Sequence, residues 1–168
     1  MKVRLWGTRG SLASPGSDTA RYGGNTSCVE VRGSAGGVLV IDGGTGIRRL
    51  GRSLDGVSRV DVLLSHLHMD HIQGLGFFAP LHDRHVETHI WGPARDVDDL
   101  GARLRRYLSP PLFPVRLRDL PRLVLHALPA GEFEVGEFRV TAQPVCHPGF
   151  TVGLRVASRR ATIAYLSD

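Results

Sequence analysis

Short apolar runs separated by Gly-rich polar stretches fill the first third of the chain. Val3 to Trp6 predicts a brief strand, and Gly7 to Gly24 a long polar loop of the kind that is often functional. Ser27 to Arg32 and Val38 to Asp42 predict a hairpin turning through Gly33-Ser34-Ala35-Gly36-Gly37. Gly43-Gly44-Thr45-Gly46 breaks the second strand, and a helix is expected over Ile47 to Leu54. Val60 to Leu64 reads as a buried strand. Further on, His89 to Trp91 predicts a strand, Pro93 to Leu108 a helix and Ser109 to Val115 a Pro-rich stop. Four strands follow: Arg122 to Leu128, Phe138 to Gln143, Val152 to Val156 and Ala161 to Leu166. Strands interrupted by helices make an α/β protein with more β than a doubly wound fold would show.

The 168 residues suit one domain with a sizeable core, and 42% hydrophobic with 22% charged residues is an ordinary globular composition. The longest apolar run, around Val38 to Ile41, is strand-sized, so no membrane partner is expected. Met1-Lys2-Val3-Arg4 leads into Trp6 with no hydrophobic signal core. Cys28 and Cys146 are too few for a disulfide framework, and reduced thiols in a cytoplasm are the simpler expectation. The net charge of +5 rests almost wholly on arginine, with Lys2 the lone lysine. The arginines are scattered. Val97, Leu100, Leu104 and Leu108 fall at helical spacing, with Asp96, Asp98 and Asp99 at the start and Arg103, Arg105 and Arg106 at the end. That order complements a helix dipole. A nucleic-acid patch should be one-signed, so nucleic acid is not expected as a partner.

The segment after the strand at Val60 changes the picture. Ser65-His66-Leu67-His68-Met69-Asp70-His71 sets four metal-ligand side chains within six positions. Alternate residues of an extended segment point the same way, so His66 and His68 can reach one ion together. Asp70 and His71 are adjacent and diverge where the chain turns, which suits a second ion. Imidazole and carboxylate suit zinc and other first-row divalent metals. His147, in Cys146-His147-Pro148-Gly149, and Asp168, beyond the apolar strand Ala161 to Leu166, sit at strand ends that could complete the set.

With His66, His68, Asp70 and His71 completing the pattern His-x-His-x-Asp-His, the chain resembles the metallo-β-lactamase-fold hydrolases. Trp6 to Ser11, Tyr22 to Cys28, Asp42 to Gly46, Ser109 to Pro114 and His147-Pro148-Gly149 extend the resemblance. They point to the subgroup of the phosphoribosyl cyclic phosphate phosphodiesterases. The resemblance implies an αββα sandwich with a dinuclear site at one edge between two sheets. It implies His66, His68 and His147 on one ion, Asp70 and His71 on the other, and Asp168 bridging. It also implies a further His downstream, so residues 1–168 are expected to be a single domain lacking its C-terminal part. An aspartate in the bridging place disfavours a dedicated β-lactam hydrolase.

Two divalent ions, zinc or alternatively manganese, would acidify bound water from about 15.7 to about 7 and stabilise charge on a phosphoryl oxygen. Catalysis is expected to centre on Asp70 and Asp168. The residual positive charge favours a small anionic phosphodiester. Thioester or lactone hydrolysis, and a metal-binding domain without activity, are the alternatives. Arg9, Asn25, Thr26 and Ser27 offer donors for such a substrate, although Asn, Ser and Thr in loops more often satisfy local backbone. Asp42 could orient a ligand histidine or simply close its Gly-rich turn. His82, His85 and His89 are expected to be surface or half-buried, His126 an exposed face residue and Cys146 a small buried one. A homo-oligomer is compatible with all of this.

Overall fold

A computed structural model describes all residues from Met1 to Asp168. Ten strands form two sheets. The first runs β1 (Lys2–Gly7), β2 (Cys28–Arg32), β3 (Val38–Ile41), β4 (Arg59–Leu63), β5 (Glu87–Gly92) and β6 (Leu123–Ala127), in that spatial order. Its first three strands are antiparallel, whereas β3 to β6 are parallel neighbours. The second sheet is an antiparallel meander of β7 (Gly131–Val135), β8 (Phe138–Pro144), β9 (Val152–Ala157) and β10 (Thr162–Tyr165).

Alternation along the strands explains the layering. Val38 and Val40 of β3 pack with Val60, Val62 and Ile90 against a helical layer. That layer holds α1 (Ile47–Gly51), α2 (Met69–Ile72) and α3 (Val97–Arg105). The intervening Leu39 and Ile41 face the other way, toward Phe138, Val140, Leu154 and Val156 of the second sheet. Each such side chain contributes about 1.5–3 kcal/mol when fully buried. Both faces of β3 are apolar, so alternation alone cannot pin its register. Its end does so: Asp42 N–H donates to the Leu63 carbonyl at 2.9 Å. The order is therefore helices, sheet, sheet, and the outer face of the second sheet exposes Arg139 and Arg155 without a covering helix. Three layers of the expected αββα sandwich are present.

Two helices are shorter than the pattern suggested. α3 begins at Val97 because the Asp96 carboxylate caps it, accepting from Asp99 N–H at 2.8 Å. α1 stops at Gly51, where a Cβ would fall 2.9 Å from the Phe78 ring. Strand β7 was not expected, since Gly-Glu-Phe-Glu-Val carries only two apolar positions.

Candidate metal centre

The carboxyl ends of β3 and β4 open at one edge of the sandwich, where open α/β sheets place their sites. The β8–β9 loop and the end of β10 reach the same edge. Asp42 follows β3, the His66–His71 segment follows β4, His147 lies between β8 and β9, and Asp168 follows β10. One ligand atom each from His66, His68, His147 and Asp168 lies within 4.8 Å of all the others. Asp168 Oδ2 is 3.3 Å from His66 Nε2, 3.5 Å from His71 Nε2 and 3.7 Å from His147 Nε2. Asp70 Oδ2 sits 3.3 Å from His71 Nε2 and accepts from Ser11 N–H at 2.8 Å. Ser11 has φ +59°, so the long Gly7–Gly24 loop turns sharply onto the ligand segment.

Asp42 organises this edge. It is fully buried and accepts from Ser65 N–H at 2.7 Å, Ser65 Oγ at 2.9 Å, His71 Nδ1 at 2.7 Å and Tyr165 OH at 2.7 Å. The tautomers follow. His71 Nδ1–H donates to Asp42, which keeps the proton on Nδ1 and leaves His71 Nε2 with a free lone pair. Ser65 spends its own hydrogen on Asp42, so its oxygen accepts from His66 Nδ1 at 3.1 Å and frees His66 Nε2 too. These two Nε2 atoms are buried and have no hydrogen-bond partner. Orphaned lone pairs converging on a shared carboxylate are what a divalent cation would satisfy.

Both readings of Asp42 therefore hold at once. It closes the Gly-rich turn at φ +61°, and it fixes a histidine. Gly44 is needed because a Cβ there would lie 2.4 Å from the Asp70 carbonyl. Burial, followed by the neighbouring His71, pushes the His66 pKa down to about 4. Burial also pulls on His71, but the Asp42 hydrogen bond and charge, with Asp70 and Asp168 behind them, outweigh it and raise this ring's pKa. Tyr165 is raised by burial and by Asp42, so it stays a donor.

The expected substrate donors divide. Thr26 is fully buried: its hydroxyl accepts from Thr45 N–H at 2.9 Å and its N–H donates to Thr45 Oγ1 at 2.9 Å. Asn25 Oδ1 accepts from Thr45 Oγ1 at 3.2 Å. Asn25 and Thr26 thus bind the Gly43–Gly46 turn to the end of β1. Arg9 and Ser27 instead line a cavity of about 460 Å³ together with Asp168.

Three other expectations need correction. Cys146 is exposed, in the loop between β8 and β9 whose next residue, His147, turns toward the ligand cluster. His89 is buried, and His126 is not a solvated face residue. The parallel register sets Trp91 beside His126, whose ring stacks on the indole at 3.9 Å while Nε2 meets His89 Nδ1 at 2.7 Å. Ser65 and Tyr165 were not singled out as site residues. Ser65 adjoins His66 and could have been, whereas Tyr165 looks like any member of its apolar strand.

The sequence profile of the Beta-lactamase superfamily domain matches residues 38–168. The chain belongs to this superfamily. Its fold is that of the metallo-β-lactamase-fold protein YhfI from Bacillus subtilis, with a TM-score of 0.70 at 21% identity over 99% of this chain and 62% of that one. A diphosphatase from the PhnP family matches at TM-score 0.67 and 15% identity, over 92% of this superfamily member and 62% of the other chain. The short form of human tRNase Z matches at TM-score 0.64 and 22% identity, over 100% and 69%. The chain thus spans about 62% of the length of the first two. No curated protein matches it.

Proposed function

We propose that this superfamily member carries the metal centre of a hydrolase that cleaves small cyclic or nucleotide-like phosphodiesters. The observation that carries the reading is the convergence of the unpaired His66 and His71 Nε2 atoms on Asp168 Oδ2. His66, His68, His147 and Asp168 would hold one ion, Asp70 and His71 the second, and Asp168 would be shared. When bound, such ions, zinc or manganese, supply Lewis acidity toward a phosphoryl oxygen and a water acidified to about pKa 7.

The chain's own residues prepare that chemistry. Asp42 holds the His71 ring with Nδ1 protonated and Nε2 bare, and through Ser65 does the same for His66. Ser11 N–H fixes one carboxylate oxygen of Asp70. Tyr165 donates to Asp42 from the opposite sheet, so the two sheets hold the site jointly. Two dications would outweigh the carboxylates of Asp42, Asp70 and Asp168 at this edge, which favours an anionic substrate. A diphosphatase and a tRNase among the structural neighbours support phosphorus-ester chemistry. A small substrate rather than RNA is favoured by α3, where Asp99 pairs with Arg95 and Arg103 and leaves a two-signed face.

The test compares a phosphodiester with a thioester and a lactone on zinc- and manganese-loaded protein. Diester cleavage that His68→Ala abolishes and His85→Ala leaves intact is the expected result. A preference for the thioester or lactone, or retained turnover in His68→Ala, would overturn the reading.

A further inference from the structure

Arg9 stands on a pinned stretch of backbone. Thr8 N–H and Arg9 N–H both donate to the Asn25 carbonyl, at 3.0 and 2.9 Å, and Arg9 forms a parallel bridge with Thr26. Gly7 permits that approach, since a Cβ there would fall 1.8 Å from the Thr26 carbonyl oxygen. Thr26 is bonded in turn to Thr45, so the Gly-rich turn that Asp42 closes also anchors the backbone of Arg9. Inside the protein the guanidinium meets no partner. Its Nε is buried without a hydrogen bond, and no ion pair of the chain includes Arg9. A buried N–H of a charged group is costly to leave unpaired, so this donor suits an acceptor that arrives from outside.

The position of Arg9 says where that acceptor would lie. β1 and β3 run the same way, because each is antiparallel to β2. The end of β1, just before Arg9, therefore opens at the edge that carries the ligand cluster. Ser167 and Asp168, beyond β10, reach that edge from the second sheet. Arg9, Ser167 and Asp168 line one cavity of about 460 Å³, whose remaining length along β1 and β10 is apolar, with Val3, Leu5 and Ile163. Asp168 Oδ2 is shared among His66, His71 and His147 and does not neutralise Arg9. Ser167 Oγ is a second buried polar atom there without a hydrogen bond.

We propose that Arg9 contacts substrate, its guanidinium donating to a phosphoryl oxygen of the anionic ester at the Asp168 end of this cavity. The proposal rests on the phosphodiester reading and names the residue that recognises the ester's charge. A guanidinium presents its N–H groups in a planar fork that matches phosphoryl oxygens. A neutral thioester or lactone would leave the same charge without a counterpart.

Dimethyl phosphate, an anion, and trimethyl phosphate, its neutral analogue, are titrated separately into zinc-loaded protein. The readout is the Arg9 Nε–H resonance of ¹⁵N-arginine-labelled protein, identified by its absence from Arg9→Lys. Dimethyl phosphate is expected to shift this resonance and trimethyl phosphate to leave it in place. Arg9→Gln should weaken dimethyl phosphate binding about tenfold while zinc affinity stays at the parent value. A resonance unmoved by dimethyl phosphate, or moved equally by both probes, would overturn the proposal, and the parent protein decides this even where Arg9→Gln fails to fold. A parallel loss of zinc affinity in Arg9→Gln would make Arg9 structural and also overturn it. Hydrolysis of bis(p-nitrophenyl) phosphate at the parent rate in Arg9→Gln would overturn the role of Arg9 and leave the phosphodiester reading standing. A shifted Arg9 resonance with no hydrolysis of that diester would retain the anion contact and sink the phosphodiester reading.

Discussion

Asp42 Oδ2 lies 2.7 Å from His71 Nδ1, in a site from which both side chains are wholly excluded from solvent. The contact spans 29 residues and joins the end of β3 to α2. A buried carboxylate costs several kcal/mol in desolvation unless it is fully hydrogen-bonded. Asp42 meets that condition with four donors, two of which set the tautomers of candidate ligands.

Replacing Asp42 with Asn should therefore damage metal binding more than folding. The amide keeps the shape but can present N–H to His71, which reverses the ring's tautomer. Zinc affinity, measured by competition with a chelator, is expected to fall about 10–100-fold. Equal affinity in Asp42→Asn and the parent would show that the histidine tautomers are set elsewhere.

Tyr165→Phe removes one donor to the same carboxylate and leaves three. Bonds to charged groups are worth about 1.5–3 kcal/mol, so urea unfolding should show a loss in that range. Zinc affinity should change much less than in Asp42→Asn, because neither ring loses its own partner. An unchanged urea midpoint would mean that the Tyr165 bond does not hold the two sheets together.

Legibility in the sequence followed the range of the interaction. His66, His68 and Asp70 announce themselves because residue type and spacing act within one segment, and the strands flanking them are marked by apolar runs. Asn25 and Thr26 carry the same donors as Ser27, yet only the fold reveals that Thr45 uses them. Tyr165 has no local signal, since its partner lies 123 residues away. His126 has no local signal either, since its half-burial depends on the β5–β6 register that sets Trp91 beside it. Cys146 departs from expectation in the other direction. Its type is usually buried, but here its side chain is exposed while the neighbouring His147 turns toward His68 and Asp168.

Metal should enter in two unequal steps. Four ligand atoms from His66, His68, His147 and Asp168 lie within 4.8 Å of one another, whereas Asp70 and His71 have Asp168 only on loan from that group. Calorimetric titration with zinc should give one tight event and one weaker, and His147→Ala should weaken the tight one. Two sites of equal affinity would contradict the unequal ligand sets.

Acid should loosen the sheet through His126. Burial, with the neighbouring His89, lowers its pKa below the ordinary 6.5. His89 Nε2 meets the Glu87 carboxylate at 2.6 Å and its Nδ1 meets His126 Nε2 at 2.7 Å, so the His–His contact has room for one proton. The unfolded chain then binds more protons than the folded one as pH falls below 6.5. The stabilisation from this pair is complete above that pH and is lost as pH falls through the depressed value. In metal-free protein, the unfolding midpoint should drop more steeply between pH 7 and pH 5 in the parent than in His126→Gln. Parallel pH profiles for the two proteins would remove His126 as a source of acid sensitivity beside the depressed His66.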